Sequence, residues 1–269
     1  MAKQLQRINL IAPNDMPHTT KRSPFIYENS ISKSLHFDEM AVQSSMRKDA
    51  PFELEVSYTQ TMMAFLLLHP APRDILIVGL GGGSLPKYCY QHLPKCRITT
   101  VEINKEVIAL RDEFAIPPDD ERFRVVHADG AKYLVGRWNS ADVIMLDGYD
   151  AGGIPASLAS QRFFDQCALA LRENGVLVSN LCENDTRLNV YISRLRIAFD
   201  NRVMKARAEY DFNKIVFAVK HDRMPQEKIL RDRAAVLETK HCINFLSMAA
   251  QMRASLRPDT RLLEDNGCA

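Results

Sequence analysis

Strand and helix patterns alternate along the chain from residue 74 onward, and this alternation constrains the fold more than any other feature. The run "DILIVGL", at residues 74–80, is continuously apolar, as expected for a strand that is covered on both faces. Helical segments then alternate with further strand-like runs, namely "RITTVEI", "RFRVVHA", "ADVIMLD" and "GVLVSNL". Alternation of this kind predicts an α/β fold, with a mostly parallel sheet and helices on both faces.

Two regions flank the alternating segment. Short apolar or alternating runs, among them "SPFIYEN" and "KSLHF", predict strands before residue 54. Between residues 54 and 70, apolar side chains recur at spacings of three and four, which predicts a buried helix ended by Pro70.

The last third of the chain changes pattern. "RVMKARAEY" and "NKIVFAVKH" lie close enough in sequence to pair as an antiparallel hairpin, and the segment from Pro225 onward is helical and amphipathic. We therefore predict an N-terminal β region over residues 1–53, a nucleoside-binding catalytic domain over 54–220 and a helical C-terminal extension over 221–269.

Composition excludes several classes of protein. The chain has 269 residues, with 35 Lys and Arg against 33 Asp and Glu, and the basic residues are interleaved with acids. This charge pattern predicts no nucleic-acid partner. Six scattered cysteines without a C-x-x-C pair predict reduced thiols and no metal site. The most apolar stretch, "MMAFLLLHPAP", is too short to span a bilayer, so we expect a cytoplasmic protein with no membrane partner.

The loop after the first strand of the alternating segment is the first candidate ligand site. Gly79, Gly81 and Gly83 form a G-x-G-x-G pattern in "VGLGGGSLP". The dinucleotide pattern G-x-G-x-x-G would need glycine at position 84, which is Ser84. G-x-G-x-G is the commoner form in Rossmann-like, class I methyltransferase folds that bind S-adenosylmethionine. Taken alone, the glycines fit a tight turn about as well.

Two acidic residues follow the next strands at the same sheet edge. Glu102 lies about 20 residues beyond the loop, the spacing at which an acid binds ribose hydroxyls. Its alternative is a charge favoured at the start of a helix. Asp129, in "HADGAKYL", is placed either to bind the exocyclic amine of adenine or to cap the following helix. The alignment of all three features on one edge favours a nucleoside site.

Asp147 and Asp150, in "LDGYDAGGIP", follow the fourth strand of the alternating segment. Asp and Gly are ordinary turn residues, so a pair that caps a turn is one interpretation. The other interpretation is that the two carboxylates hold and deprotonate a substrate at the same sheet edge.

In this order, "GLGGGSLP", "VEIN", "ADGAKYL" and "DGYDAGGIP" resemble the polyamine aminopropyltransferases, spermidine synthase and its relatives. The resemblance extends from about residue 24 to 220 and includes "AVQSS" and "SYTQTM". Enzymes of this family move an aminopropyl group from decarboxylated S-adenosylmethionine to an amine such as putrescine and release methylthioadenosine. The resemblance therefore implies a small amine as substrate, a sulfonium nucleoside as co-substrate, no tightly bound cofactor, and a homodimer.

The resemblance also implies roles for individual residues. Glu102 would hold the ribose, and Asp129 with Gly130 would hold the adenine. Residues 151–158 would form the family's gate over the substrates. The remaining implied contacts are Gln43, which contacts ligand, and the lining of the amine-acceptor site, Tyr58, Asp147 and Asp150.

The sequence departs from the family pattern at two places. The family's glycine-rich loop usually carries an aspartate that receives the donor's amino group, and the matching residue is Gly82. The family's Tyr-[His/Gln]-Glu segment reads Tyr58-Thr59-Gln60, so a polar contact and a carboxylate are both changed. These changes affect donor and acceptor identity and leave the ribose and adenine contacts in place.

The implied reaction is an in-line displacement at a carbon bonded to sulfonium. An aliphatic amine has a pKa of roughly 10, so it arrives protonated and must lose a proton as it attacks. We expect Asp147, fixed at the end of a strand, to be the general base and Asp150 to anchor the amine. Tyr58 could orient the amine, although its spacing also fits a core aromatic residue.

Two other functions remain open from the sequence. An S-adenosylmethionine-dependent methyltransferase would share the nucleoside contacts, and Gly82 makes this alternative more serious. A non-catalytic nucleoside-binding homologue would keep the fold without the reaction.

Overall fold

The computed structural model describes residues 23–38, 42–149, 153–210 and 212–256. A small antiparallel sheet is formed by β1 (Phe25–Glu28), β2 (Ser32–His36) and β3 (Val42–Arg47), with β2 in the centre. This sheet confirms the N-terminal β region expected from the alternating runs.

A seven-stranded sheet forms the body of the protein. Its order is β6-β5-β4-β7-β8-β10-β9; β4 to β8 are parallel, and β10 runs antiparallel to both of its neighbours. The α/β prediction and the predicted hairpin are therefore confirmed. The strands are β4 (Asp74–Val78), β5 (Arg97–Glu102), β6 (Phe123–His127), β7 (Ala141–Leu146), β8 (Leu171–Cys182), β9 (Val203–Arg207) and β10 (Asn213–Val219).

Eight α-helices and two 3-10 helices accompany the sheets in the described part of the chain. The α-helices are α1 (Ser57–Met62), α2 (Ser84–His92), α3 (Lys105–Ala109), α4 (Gly130–Tyr133), α5 (Gln161–Ala170), α6 (Leu188–Ala198), α7 (Glu227–Glu238) and α8 (Phe245–Ala254). The 3-10 helices are Met63–Leu67 and Ala156–Leu158.

Several helix boundaries differ from the predicted ones. The helix expected over residues 54–70 begins only at Ser57, after an extended Val56, and tightens into the 3-10 helix at Met63. The apolar pattern of "NKEVIALRDEF" predicts a helix over 104–114 capped by Asn104; Asn104 is the N-cap, but α3 ends at Ala109. Apolar spacing correctly predicted which segments are buried, but it does not determine whether a buried turn is α or 3-10.

The C-terminal helices pack into the main core. Leu230 and Ala234 on α7 and Phe245 on α8 are fully buried in the same apolar cluster as Met204 and Phe217 of the sheet. The small N-terminal sheet adds side chains to this cluster as well. The predicted domain boundaries stay a prediction. No helix among the described residues is long and apolar enough to cross a membrane.

Candidate active site

A cavity of about 780 Å³ opens at the carboxyl ends of the parallel strands. The strand order reverses between β4 and β7, and ligands of doubly wound sheets bind at such a switch point. The cavity collects most of the residues predicted from the sequence, namely Gln43, Tyr58, Gly79, Gly81, Glu102, Asp129, Gly130 and Asp147.

Among the described residues, the predicted site residue Gly83 is not in this wall. Gly83 is the N-cap of α2 and has a left-handed backbone, with φ of 71°. This backbone turns the chain into the helix, and the predicted ligand contact of Gly83 stays a prediction. Asp150 lies outside the described residues, so its role stays a prediction.

Gly79 brings the glycine-rich loop against the end of β7. Its φ is +101°, and a Cβ atom there would lie 2.3 Å from the carbonyl oxygen of Asp147. Only glycine allows this approach without displacing the backbone that carries the proposed base.

Gly82 occupies a position that is closed to side chains. A Cβ atom at Gly82 would lie 2.7 Å from Oγ of Ser44 and 2.9 Å from Cδ1 of Phe114. The residue that replaces the family's aspartate is thus packed between the N-terminal sheet and the segment after α3.

Glu102 connects the glycine-rich loop to the segment that follows β5. Its side chain is buried, and its two oxygens accept hydrogen bonds from the backbone N–H groups of Leu80 (2.8 Å) and Asn104 (2.7 Å). Each carboxylate oxygen has capacity for another donor, so these bonds fix the acid without excluding ribose hydroxyls.

Asp129 is the N-cap of α4. Its Oδ1 accepts hydrogen bonds from the N–H groups of Ala131 (2.8 Å) and Lys132 (3.3 Å), which confirms the capping interpretation. The same residue lines the cavity, so the adenine contact stays a prediction. Gly130 allows α4 to approach β4, since a Cβ there would lie 2.5 Å from Cγ1 of Val78.

Asp147 is the carboxylate at the end of β7. The Tyr58 hydroxyl donates a hydrogen bond to its Oδ2 (3.2 Å), and the Asn180 amide donates one to its Oδ1 (2.9 Å). Burial raises the pKa of Asp147 to about 6, although both hydrogen bonds act in the opposite direction. The structure thus brings the predicted Tyr58 and Asp147 together.

The two residues that follow Tyr58 bond to the segment just before their helix. The Thr59 hydroxyl donates to the carbonyl of Val56 (2.6 Å), and the Gln60 amide donates to the carbonyl of Leu54 (2.8 Å). The departures from the family pattern at these positions therefore stabilise the start of α1.

Three residues around Asp147 were not predicted from the sequence, namely Asn180, Asn213 and Tyr149. Asn180 is buried at the carboxyl end of β8 and accepts a hydrogen bond on its Oδ1 from the Asn213 amide (2.7 Å). The Tyr149 hydroxyl donates to the Asn180 carbonyl (2.9 Å). The available signal was Asn180 itself, a polar residue in the apolar run "GVLVSNL" next to the strand that carries Asp147.

Comparison with known proteins identifies the family. The sequence model for the spermine/spermidine synthase domain matches residues 55–211, which is more than half of the chain. The chain belongs to the spermine/spermidine synthase family. A polyamine aminopropyltransferase from Neisseria meningitidis is 38% identical over 233 residues, which cover 86% of this chain and 89% of that protein.

Two solved structures share the fold of this protein. A spermidine synthase in complex with the transition-state analogue AdoDATO has a TM-score of 0.67 at 20% identity, over 89% of this chain and 87% of that one. Human methyltransferase-like protein 13 in complex with SAH has a TM-score of 0.62 at 26% identity, over 78% and 99%. At 20% identity, the similarity to the spermidine synthase structure shows the fold alone.

Family membership confirms the resemblance predicted from the motifs, and the protein is a transferase. The named relatives support aminopropyl transfer as its activity.

Proposed function

We propose that this protein transfers an aminopropyl group from decarboxylated S-adenosylmethionine to a small aliphatic amine, with Asp147 as the general base. One observation carries the proposal: Asp147 lies in the wall of the cavity that also contains Glu102 and Asp129, and hydrogen-bond donors hold both of its oxygens.

On the donor side, Glu102 would accept the ribose hydroxyls, and Asp129 with Gly130 would contact the adenine. The donor is a co-substrate that leaves as methylthioadenosine, so no tightly bound cofactor is required. Gln43 would contact the bound ligands from β3.

On the acceptor side, the amine nitrogen attacks the carbon bonded to sulfur. The C–N bond forms as the C–S bond breaks, and sulfur keeps the electron pair and becomes a neutral thioether. The nitrogen's proton passes to Asp147. Because burial raises the pKa of Asp147 to about 6, the carboxylate is a stronger base than an ordinary aspartate against an amine with a pKa of roughly 10.

Asp150 would anchor the amine, and residues 151–158 would cover the substrates. The family resemblance also leads us to propose a homodimer and a cytoplasmic location.

A methyltransferase is the second candidate function. Two observations favour it: the similarity to human methyltransferase-like protein 13 bound to SAH, and the closed position at Gly82. The intact surroundings of Asp147 favour the first candidate.

The deciding experiment supplies the protein with decarboxylated S-adenosylmethionine, or with S-adenosylmethionine, plus a panel of amines, and identifies products by mass spectrometry. We expect methylthioadenosine and an aminopropylated amine. S-adenosylhomocysteine with a methylated product would overturn the proposal in favour of a methyltransferase. Nucleoside binding by calorimetry without either product would indicate a non-catalytic homologue.

A further inference from the structure

Asp147 is the first member of a chain of side-chain hydrogen bonds whose three residues all line the cavity. Its Oδ1 accepts from Nδ2 of Asn180, whose Oδ1 accepts from Nδ2 of Asn213. We propose that Asn213 is a positioning residue, which acts on Asp147 by fixing the orientation of the Asn180 amide. The inference rests on the proposed role of Asp147 as base.

The direction of this chain follows from its first member. An ionised carboxylate only accepts hydrogen bonds, so Asn180 must turn its NH₂ group toward Asp147. The Asn180 oxygen then faces away from Asp147 and needs a donor, because the side chain is buried. Asn213 is that donor. With Asn213 in place, a flip of the Asn180 amide would break two hydrogen bonds and direct a carbonyl oxygen at a carboxylate.

Strand register places the two asparagines together. Asn180 on β8 is opposite Ile215 on β10, and Asn213 is two residues before Ile215. Residues two apart in a strand share a face, so Asn213 is the diagonal neighbour of Asn180 on that face. Asn213, the first residue of β10, therefore reaches the Asp147 carboxylate at the end of β7 through one intervening side chain, that of Asn180.

Charged groups near this chain are paired among themselves. Glu183, just after β8, forms ion pairs with Lys214 on β10 (3.2 Å) and Arg207 on β9 (2.7 Å). Asp185 is paired with Arg187 (3.1 Å).

The other titratable groups lie in the cavity wall around Asp147. Tyr58 comes from α1, Tyr149 from the loop after β7, Cys182 from β8, Glu102 from β5 and Asp129 from the N-cap of α4. Of these, the Tyr58 hydroxyl donates to the Asp147 carboxylate directly. Asn180 is the second direct donor, so the orientation of its amide affects the pKa of Asp147.

Asn213→Leu removes the donor while keeping a side chain of similar size and adding no charge. The Asn180 oxygen then lacks its donor, so the orientation that donates to Asp147 is less favoured and the pKa of Asp147 should rise. The acidic limb of the pH profile of kcat/KM should move to higher pH, and a displacement of one pH unit should cost roughly fivefold near pH 6, roughly tenfold well below it and little near pH 8. Asn184→Leu, at an exposed asparagine outside the cavity wall, is the matched control.

Asn213→Asp tests the orientation itself. Its carboxylate accepts from the Asn180 NH₂ group and turns the Asn180 oxygen toward Asp147, so the limb should move further in the same direction. This variant nearly preserves shape, and it carries the test if Asn213→Leu does not fold.

A double-mutant cycle separates positioning from direct contact with the amine. In an Asn180→Ala background, Asn213→Leu should move the acidic limb no further, because the residue that transmits its effect is gone. A full additional displacement in that background would overturn the proposal.

Carbon-13 NMR titration of the Asp147 carboxylate, assigned by the signal lost in Asp147→Asn, gives a readout that is independent of turnover. An unchanged Asp147 pKa in both Asn213 variants would overturn the positioning role whatever the activity. A raised pKa together with a fully active Asp147→Asn would leave the positioning role standing and remove Asp147 as the base.

Discussion

The hydroxyl of Tyr58 on α1 donates a hydrogen bond of 3.2 Å to Oδ2 of Asp147 at the end of β7. These residues are 89 positions apart in the sequence. Because Asn180 donates to the other oxygen, the ionised carboxylate is held from two sides while burial favours its neutral form. The balance sets the pKa of Asp147 near 6, and each donor is a separate means of changing it.

Tyr58→Phe should therefore reduce the ionised fraction of the proposed base at low pH without removing the base. Loss of the donor raises the pKa of Asp147, so the acidic limb of kcat/KM moves to higher pH, and activity near pH 6 falls more than activity near pH 8. A hydrogen bond to a charged group contributes about 1.5–3 kcal/mol, so the displacement should reach one pH unit or more. Tyr90→Phe is the control, since its hydroxyl bonds Asp120 away from the cavity. If the acidic limbs of kcat/KM for wild type and Tyr58→Phe lie at the same pH, the Tyr58 hydroxyl does not influence the pKa of Asp147.

Asp147→Asn should abolish turnover and leave nucleoside affinity within about tenfold, or roughly 1.4 kcal/mol. An amide cannot take the proton from the attacking amine, whereas the nucleoside contacts proposed for Glu102 and Asp129 are unchanged. Single-turnover kinetics and calorimetry measure the two quantities separately. For the wild type, kcat/KM should rise with pH through about pH 6, because only the ionised form of Asp147 is active. An active Asp147→Asn variant would remove this residue from the mechanism.

The sequence predicted those features that a single segment determines. Alternating strand and helix patterns predicted the sheet, and the ends of its strands correctly located Glu102, Asp129 and Asp147 at one edge. The Asn180–Asn213 contact depends on the register of β8 against β10, which no local pattern determines. The packing against Gly82 could not be predicted from the sequence either, because Ser44 and Phe114 come from distant segments on either side of it in the chain.

Gly82→Ala should destabilise the protein by about 1–3 kcal/mol, the usual cost of overpacking a closed position. Its Cβ would meet Ser44 and Phe114 at distances that real side chains avoid. Urea unfolding measures the loss. Ser44→Gly in the same chain should recover part of it, because it removes one of the two contacts. A Gly82→Ala variant as stable as wild type would show that the loop relaxes away from these neighbours, and position 82 would then be open to the family's aspartate.

Lys87→Met should remove a pH dependence of stability that the wild type owes to one buried amine. Lys87 on α2 is 1% exposed, and its Nζ donates to the carbonyl of Phe114 (2.7 Å) and lies 3.2 Å from Sδ of Met46. Burial lowers the pKa of this lysine from 10.5 to about 8.

Between these two pKa values the unfolded chain binds more protons than the folded one, so the wild-type free energy of unfolding should rise as pH increases from about 8 to about 10.5. The rise is at most about 3 kcal/mol at 1.36 kcal/mol per pKa unit. Below about pH 8 both states are protonated, and the burial penalty on the wild type is complete. Methionine keeps the length of the side chain and carries no charge, so Lys87→Met should match or exceed wild-type stability at that pH and lose its advantage as pH rises. Urea unfolding across this range measures both curves, with Lys95→Met at an exposed lysine as the control. If the difference between wild type and Lys87→Met stays constant with pH, the Lys87 amine is not the group that titrates.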